Sequence, residues 1–252
     1  MEVKKGCLYL VGTPIGNLSD ITERAVFTLE NADFIAAEDT RVTGLLLSKI
    51  CGVKKPLTSF HEFNASQKGK EITEKLTQGE SCALVTDAGM PCISDPGESL
   101  VRLCYESGIP VYVVPGASAV TAALAVSGLD TGRFVFEGFL PSGKKQRSVL
   151  LDSLKDERRT LVFYESPHRL RATLSDLHAI LGDRQIAVCR ELTKLYEQVL
   201  RGTLSEIIKV CGEKEPRGEY VLVVSGASPP PKRQKVNKYE NFSKIKEHNH
   251  DE

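Results

Sequence analysis

Between Cys7 and Val114 this chain alternates short apolar runs with amphipathic helical stretches, and that alternation limits the folds open to it. Cys7–Val11, Phe34–Ala37, Pro56–Phe60, Cys82–Thr86 and Val111–Val114 read as strands. Between them, Ile21–Asn31, a stretch through Leu45-Leu46-Leu47 and a charged segment capped by Asn64 and reaching about Gln78 read as helices. Short continuous apolar strands separated by helices require a largely parallel sheet covered on both faces. All strands of such a sheet end on one edge, where open α/β folds bind ligands.

Four of these strand ends carry polar clusters: Gly12–Asn17, Glu38–Arg41, Ser59–Glu62 and Asp87–Met90. They are predicted to converge on a single cleft. The most informative of them belongs to Ala83–Gly97, ALVTDAGMPCISDPG. There a strand breaks at once into small residues and one carboxylate, Asp87, and a second polar turn, Ser94–Gly97, precedes a helix.

A second unit follows. Pro115–Ala119 leads into a small-residue helix, Val120–Val126, ended by Ser127-Gly128. Strands are expected near Phe134–Phe139, Thr160–Tyr164, Ile186–Glu191, Glu197–Arg201 and Tyr220–Val224, and helices near Lys145–Asp156, His168–Leu181 and Leu204–Cys211. Antiparallel pairing of Ile186–Glu191 with Glu197–Arg201 would make this a separate, mixed sheet. The expected organisation is an N-terminal α/β domain over residues 1–116, a C-terminal α/β domain over 117–227 and a disordered polar tail over 228–252. Within Phe163–Arg169, Ser166 is expected to cap a helix with Pro167 at its first position. Lys144, Lys145, Arg147, Arg158, Arg159, Arg169 and Arg171 form either a solvated helix face or a phosphate-contacting surface.

Several function classes are excluded. Lys plus Arg equals Asp plus Glu, 33 each, so no global field advertises a nucleic-acid partner and RNA binding would rely on local contacts. Seven cysteines without CxxC or Cys/His spacing read as reduced thiols, and no apolar stretch is long enough to span a membrane. The N-terminus has no apolar signal core, so a cytoplasmic protein is expected. Gly12-x-x-x-Gly16 is neither a GxGxxG fingerprint nor a P-loop, and there is no HExxH, so no metal is expected. Gly116-Ala117-Ser118-Ala119 lacks the second glycine of a serine-hydrolase elbow.

Eight segments then occur in order: VGTPIGNLSDIT (Val11–Thr22), AEDTR (Ala37–Arg41), SFHEFN (Ser59–Asn64), the Ala83–Gly97 loop, VVPGASAVTAAL (Val113–Leu124), FYESPHR (Phe163–Arg169), RELTK (Arg190–Lys194) and RGEYVLVV (Arg217–Val224). Together they resemble the ribosomal small subunit methyltransferase I branch of the tetrapyrrole methylase superfamily, over essentially residues 7–226. The resemblance implies a two-domain α/β fold with a mainly parallel N-terminal sheet and a mixed C-terminal sheet. It also implies a homodimer that uses S-adenosylmethionine to 2′-O-methylate a cytidine in the decoding region of 16S rRNA, within the small ribosomal subunit. Two positions depart from the family pattern: Phe63 stands where a second His is usual, and Met90 where DAGTP has Thr.

On that reading Pro14, Ile15, Asp87, Ala88, Gly89, Met90, Ser118, Ala119, Tyr164 and Gly218 are expected around the methyl donor, with Asp87 as its chief ligand. Glu165, His168 and Lys194 are the expected catalytic groups, as base or oxyanion-stabilising cation, with Glu38, Asp39 and His61 as further candidates. Asp39, Arg41, His61, Arg169 and Arg190 are expected to position substrate. Two rival readings are a methyltransferase of tetrapyrrole precursors and a noncatalytic RNA-binding assembly factor. AEDTR, FYESPHR and RELTK weigh against the first, and the intact Asp87 loop against the second.

Overall fold

The computed structural model describes residues 2–213 and 215–228. Most of the expected polar tail, from residue 229 on, therefore lies outside the described residues. Strands β1 (Leu8–Val11), β2 (Phe34–Ala37), β3 (Leu57–Ser59), β4 (Cys82–Val85) and β5 (Val111–Val114) form one sheet in the order β3-β2-β4-β1-β5, every pairing parallel. β2 and β4 are buried at every position, as expected for strands covered on both faces. One face packs Tyr9, Val11, Ile35 and Val85 beneath α1 (Glu23–Asn31) and α2 (Thr40–Ile50). The other packs Leu8, Phe34 and Leu84 against α3 (Ala65–Thr77) and α4 (Glu98–Glu106). Local chemistry sets the helix starts: the Thr22 side chain accepts from the Ala25 N–H at 3.1 Å, and Asp39 accepts from the Arg41 N–H at 2.8 Å.

A second sheet combines β6 (Phe134–Phe139), β7 (Thr160–Glu165), β8 (Gln185–Arg190), β9 (Gln198–Thr203) and β10 (Tyr220–Val224) in the order β6-β7-β10-β8-β9. β6 and β7 run parallel, and the remaining pairings are antiparallel, including the expected β8–β9 pair. Leu161, Phe163, Leu222 and Val224 face a core shared with α6 (Lys144–Ser153), α7 (Leu170–Leu181) and α8 (Leu204–Glu213). The opposite face carries Val162, Ala187, Cys189, Val221 and Val223 beneath α5 (Ala119–Ser127). Ile15, from the loop after β1, packs into this second core, so the first sheet's ligand edge abuts the second sheet.

Two capping expectations need correction. Asn64 makes no side-chain cap bond to α3; its Oδ1 accepts from the His61 N–H at 2.9 Å and its Nδ2 donates to Ser59 O at 3.1 Å, holding the preceding turn. Ser166 does not cap α7 through its side chain. Its carbonyl accepts from the Arg169 and Leu170 N–H groups, so Ser166–Arg169 is a turn and the helix begins at Leu170. All seven cysteines are free; Cys7, Cys82, Cys104 and Cys189 are buried and Cys51, Cys92 and Cys211 partly so.

Candidate functional site

Crossing from β1 to β2 passes over β4, so the loops after β1 and β4 meet at the carboxyl edge where a crevice opens. They are stitched together there. The Thr13 N–H donates to Gly89 O at 2.9 Å, the Gly89 N–H donates back to Thr13 O at 3.2 Å, and Thr13 Oγ1 donates to Thr86 O at 3.2 Å. The loop after β5 approaches from the other side, closely enough that a Cβ at Gly12 would stand 2.6 Å from both Gly116 N and Met90 Sδ. Met90, the departure from DAGTP, thus fills space over Gly12 with its thioether.

These loops form one wall of a cleft of about 380 Å³. Ile15, Asp87, Ala88, Gly89 and Met90 line it, together with Ser118 and Ala119 at the start of α5. The Ser118 side chain makes no cap bond to α5, and the first-turn N–H of Val120 donates to the Tyr164 hydroxyl instead. The facing wall comes from the second sheet: Tyr164 and Glu165 on β7, Tyr220 and Val221 on β10, Cys189 on β8 and Leu192 and Lys194 just beyond it.

Of the carboxylates that line the cleft, Glu38, Asp87 and Asp95 come from the first sheet's edge. The Asp87 N–H donates to Glu38 Oε2 at 3.4 Å, and Asp87 Oδ1 accepts from the Asp39 N–H at 3.2 Å. Burial, reinforced by neighbouring negative charge, raises the pKa values of Glu38 and Asp87 above the ordinary carboxylate range. Burial, then the charges of Glu38 and Asp87, push Asp95 from its usual 3.8 up to about 6. A cleft arranged this way favours a positively charged ligand. Burial, then the charge of Asp95, carries Tyr164 up to about 12, so its hydroxyl stays protonated.

The Asp95 shift has a stability consequence. Its folded pKa lies above the unfolded one, so the folded state binds this proton more tightly. The associated stability is fully present below about pH 4 and is lost as pH rises through about 6. Asp95→Asn is therefore expected to raise the melting temperature of the ligand-free protein more at pH 7.5 than at pH 4.5. Melting curves showing the same gain at both values would contradict this.

Backbone strain concentrates at the same place. All four non-glycine residues with positive φ among the described residues lie in two loops: Cys92 and Ser94 after β4, Glu191 and Thr193 after β8. Such conformations persist where surrounding structure over-determines them, characteristically at ligand sites.

The expected site residues divide sharply. Glu165 reaches the cleft wall, but its carboxylate is closed. Oε1 accepts from the Ser166 N–H at 2.8 Å and faces Arg169 Nε at 3.5 Å, Oε2 accepts from Thr173 Oγ1 at 2.5 Å, and the side chain has no exposure. That arrangement suits an anchor of the Ser166–Arg169 turn better than a base. Lys194 bonds Glu219 at 2.8 Å and Glu191 at 3.0 Å. Partial burial opposes its charge, but those bonds outweigh it and hold its pKa above the ordinary lysine value, so it serves as a cation. His168 is exposed and does not line the cleft.

The other expected residues do not line the cleft. Pro14 is buried, and Gly218 lies against Glu191, whose Cδ would stand 2.6 Å from a Cβ there. Asp39 caps α2 and pairs with Arg41 at 2.6 Å. His61 Nε2 lies 3.2 Å from Asn64 Nδ2, and its ring meets the exposed Phe63 ring edge-on. Arg169 turns inward, donating to Leu140 O at 2.5 Å and Pro141 O at 3.2 Å. Arg190 falls on the far face of its sheet: strand alternation places it with Val188, opposite Ala187 and Cys189, and its Nε donates to Arg217 O at 2.7 Å. Within the basic set, Arg147 is buried in an ion pair with Asp176 at 2.7 Å, and Arg171 donates to Cys211 and Gly212 carbonyls. Neither contributes to an open phosphate-contacting surface in these positions.

Asp95, Leu192, Tyr220 and Val221 were not singled out by the sequence as site residues, yet all line the cleft. Asp95 did carry a signal, since it sits in the second polar turn of the Ala83–Gly97 stretch.

Residues 7–208 match the family model of tetrapyrrole (corrin/porphyrin) methylases. A Thermotoga maritima protein named ribosomal RNA small subunit methyltransferase I is 53% identical over 221 residues, covering 88% of this chain and 99% of the relative. The chain belongs to this family, in its ribosomal RNA small subunit methyltransferase I branch. Relatives of the same name from a Synechocystis strain and from Bacillus subtilis are 53% and 50% identical. They match 89% and 88% of this chain and 80% and 76% of their own lengths. The crystal structure of uroporphyrin-III-C-methyltransferase from Thermus thermophilus superposes with a TM-score of 0.58 at 23% identity, covering 87% of this chain and 94% of that one. That likeness shows that the tetrapyrrole methylase fold is shared. Among the described residues no helix is long and apolar enough to cross a membrane, and no cluster of metal-ligating side chains occurs.

Proposed function

We propose that this chain is an S-adenosylmethionine-dependent methyltransferase of small-subunit ribosomal RNA, and that its acceptor is the 2′-hydroxyl of a cytidine in the decoding region of 16S rRNA. One observation carries the reaction class: the stitched loops after β1 and β4, the start of α5 and the second sheet enclose one acidic-and-apolar cleft. The names of the relatives support small-subunit ribosomal RNA as the substrate, and the cytidine ribose rests on the resemblance carried by the AEDTR, FYESPHR and RELTK segments. We further take the protein to work as a cytoplasmic homodimer, with residues 1–116 and 117–227 as its two domains.

The residues present fit the donor. Its sulfonium and ammonium cations suit the Glu38, Asp87 and Asp95 carboxylates, and its carboxylate suits the positive end of α5, where Ser118 and Ala119 line the cleft. Its adenosine suits the apolar surface of Ile15, Leu192 and Val221. When bound, the donor supplies a methyl group activated by a positively charged sulfur. What this chain must add is alignment of a ribose oxygen with that methyl, exclusion of water and a place for the hydroxyl proton.

The positive-φ loops and the Thr13–Gly89 pair make the cleft walls stiff, which serves alignment. With the Glu165 carboxylate closed and Lys194 held charged, the proton acceptor falls to Glu38 or Asp95, whose raised pKa values make them stronger bases than ordinary carboxylates. Lys194 offers a positive charge near the developing oxyanion.

The deciding experiment incubates the protein with methyl-labelled donor and unmodified small ribosomal subunits, then maps the labelled nucleotide. Label on a single 16S rRNA cytidine ribose is expected. Label on a base, or transfer only to tetrapyrrole precursors, would overturn the reading.

A further inference from the structure

The second sheet contains one register irregularity, and it lies at the cleft. β6 pairs with β7 as Phe136↔Val162, then Gly138↔Phe163 and Phe139↔Tyr164, so Glu137 is an extra residue, a β-bulge. A bulge moves every later side chain to the opposite face of the sheet. In a regular strand Phe136 and Phe139, three residues apart, would point to opposite faces, and Phe139 would enter the core beneath α6 and α7. With the bulge both rings meet Tyr164 on the cleft face: Phe136 edge-on at 4.9 Å and Phe139 tilted at 5.4 Å between centroids. Leu140 takes the core position instead.

Gly138 makes the bulge affordable, with φ +63° and a Cβ position only 2.9 Å from Ser94 Oγ on the facing loop. The result is a phenyl ring 57% exposed on the rim of a cleft whose other aromatic walls are largely covered. Burying Phe139 would have been the cheaper arrangement, since it would remove that apolar surface from water.

We propose that Phe139 is a substrate-contacting, specificity-determining residue: the base of the acceptor nucleotide stacks on its ring. This rests on the ribose-methylation reading above. The base is joined to C1′, next to the carbon bearing the reacting hydroxyl, so a ribose that presents its 2′-oxygen in this cleft brings its base in as well. The Glu38, Asp87 and Asp95 carboxylates oppose entry of backbone phosphates, so the acceptor enters sugar and base first. Protein recognition of unpaired RNA bases relies on stacking against aromatic faces. Phe139 stands on the edge strand of its sheet, outside Tyr164, at the rim of the cleft that Asp87, Ala88 and the start of α5 also line.

The test compares wild type with Phe139→Ala, Phe139→Leu and Phe139→Tyr on unmodified small subunits, with donor affinity measured separately by calorimetry. Phe139→Ala and Phe139→Leu are expected to raise KM for the subunits about tenfold or more, with donor affinity within about twofold of wild type. Phe139→Tyr, which keeps an aromatic face, is expected to restore KM; leucine keeps apolar bulk without one. Near-normal KM for Phe139→Leu would show that only apolar bulk is needed and would overturn the proposal. An equal loss of donor affinity in Phe139→Ala would do the same, by making the ring a platform for the donor. Wild-type protein that leaves subunits unlabelled would instead overturn the rRNA reading itself, and this inference with it.

Discussion

Asp87→Asn is expected to weaken donor binding about ten- to hundredfold by calorimetry, the range of a lost hydrogen bond to a charged group. Asparagine keeps the shape of the side chain and its capacity to accept the Asp39 N–H, so the strand-end geometry at the meeting of β2 and β4 should survive. What disappears is a negative charge that burial has already made costly, beside Glu38 and Asp95, which are likewise raised. A group kept ionised against its surroundings has its energetic return when a cation arrives. The matched control is Asp39→Asn on the same sheet edge. That carboxylate is already satisfied by Arg41 and by capping α2, and should leave donor affinity within about twofold. Equal affinities for the wild type and Asp87→Asn would remove Asp87 from the donor site.

Gly12→Ala is expected to lower the melting temperature by several degrees and donor affinity by at least tenfold. The added Cβ would stand 2.6 Å from Gly116 N and 2.7 Å from Gly116 Cα, and backbone cannot yield as a side-chain tip can. Overpacking of this kind typically costs about 1–3 kcal/mol. In a protein of this length each kcal/mol shifts the melting temperature by roughly 2–4 °C. Here the strain would fall on the loops after β1 and β5, both of which line the cleft, so binding and stability should decline together. Gly212→Ala provides the contrast. It lies in α8 with open space around its Cβ position, and is expected to be neutral or slightly stabilising. A Gly12→Ala protein with unchanged melting and affinity would show that the two loops can separate without consequence for the cleft.

The elements were largely legible because each carries a strong local signal. β2 and β4 are continuous apolar runs, α2 begins at Asp39 and α5 ends at Gly128 in the left-handed conformation, and all of these follow from chemistry within a few residues. The capping errors at Asn64 and Ser166 have a shared origin. Both residue types bond equally well to a nearby turn, and only the path of the chain decides which N–H groups they meet. The convergence of the strand-end clusters was likewise legible in part. Asp87, Glu38 and the loop after β1 do meet, because parallel strands end on one edge.

What a side chain faces beyond its own strand end was not legible. Arg190 and Lys194 belong to one polar segment, yet one lies behind the second sheet and the other in the cleft, separated by strand alternation and the positive-φ turn at Glu191. Glu165 reads as an exposed acid after an apolar strand. It is instead enclosed by Thr173, Ser166 and Arg169, which approach only when α7 folds back. Phe139 reads as one more apolar strand residue, because a bulge is invisible until two strands are paired.

The sequence by itself determined the strand–helix rhythm, the family and the edge on which ligands would gather, since periodicity, caps and motif order are properties of neighbouring residues. The tertiary structure alone decided which charges are spent internally, which remain open to the cleft and which ring stands at its rim. Those outcomes depend on contacts between residues distant in the chain, where burial and pairing set both the protonation state and the direction of a side chain.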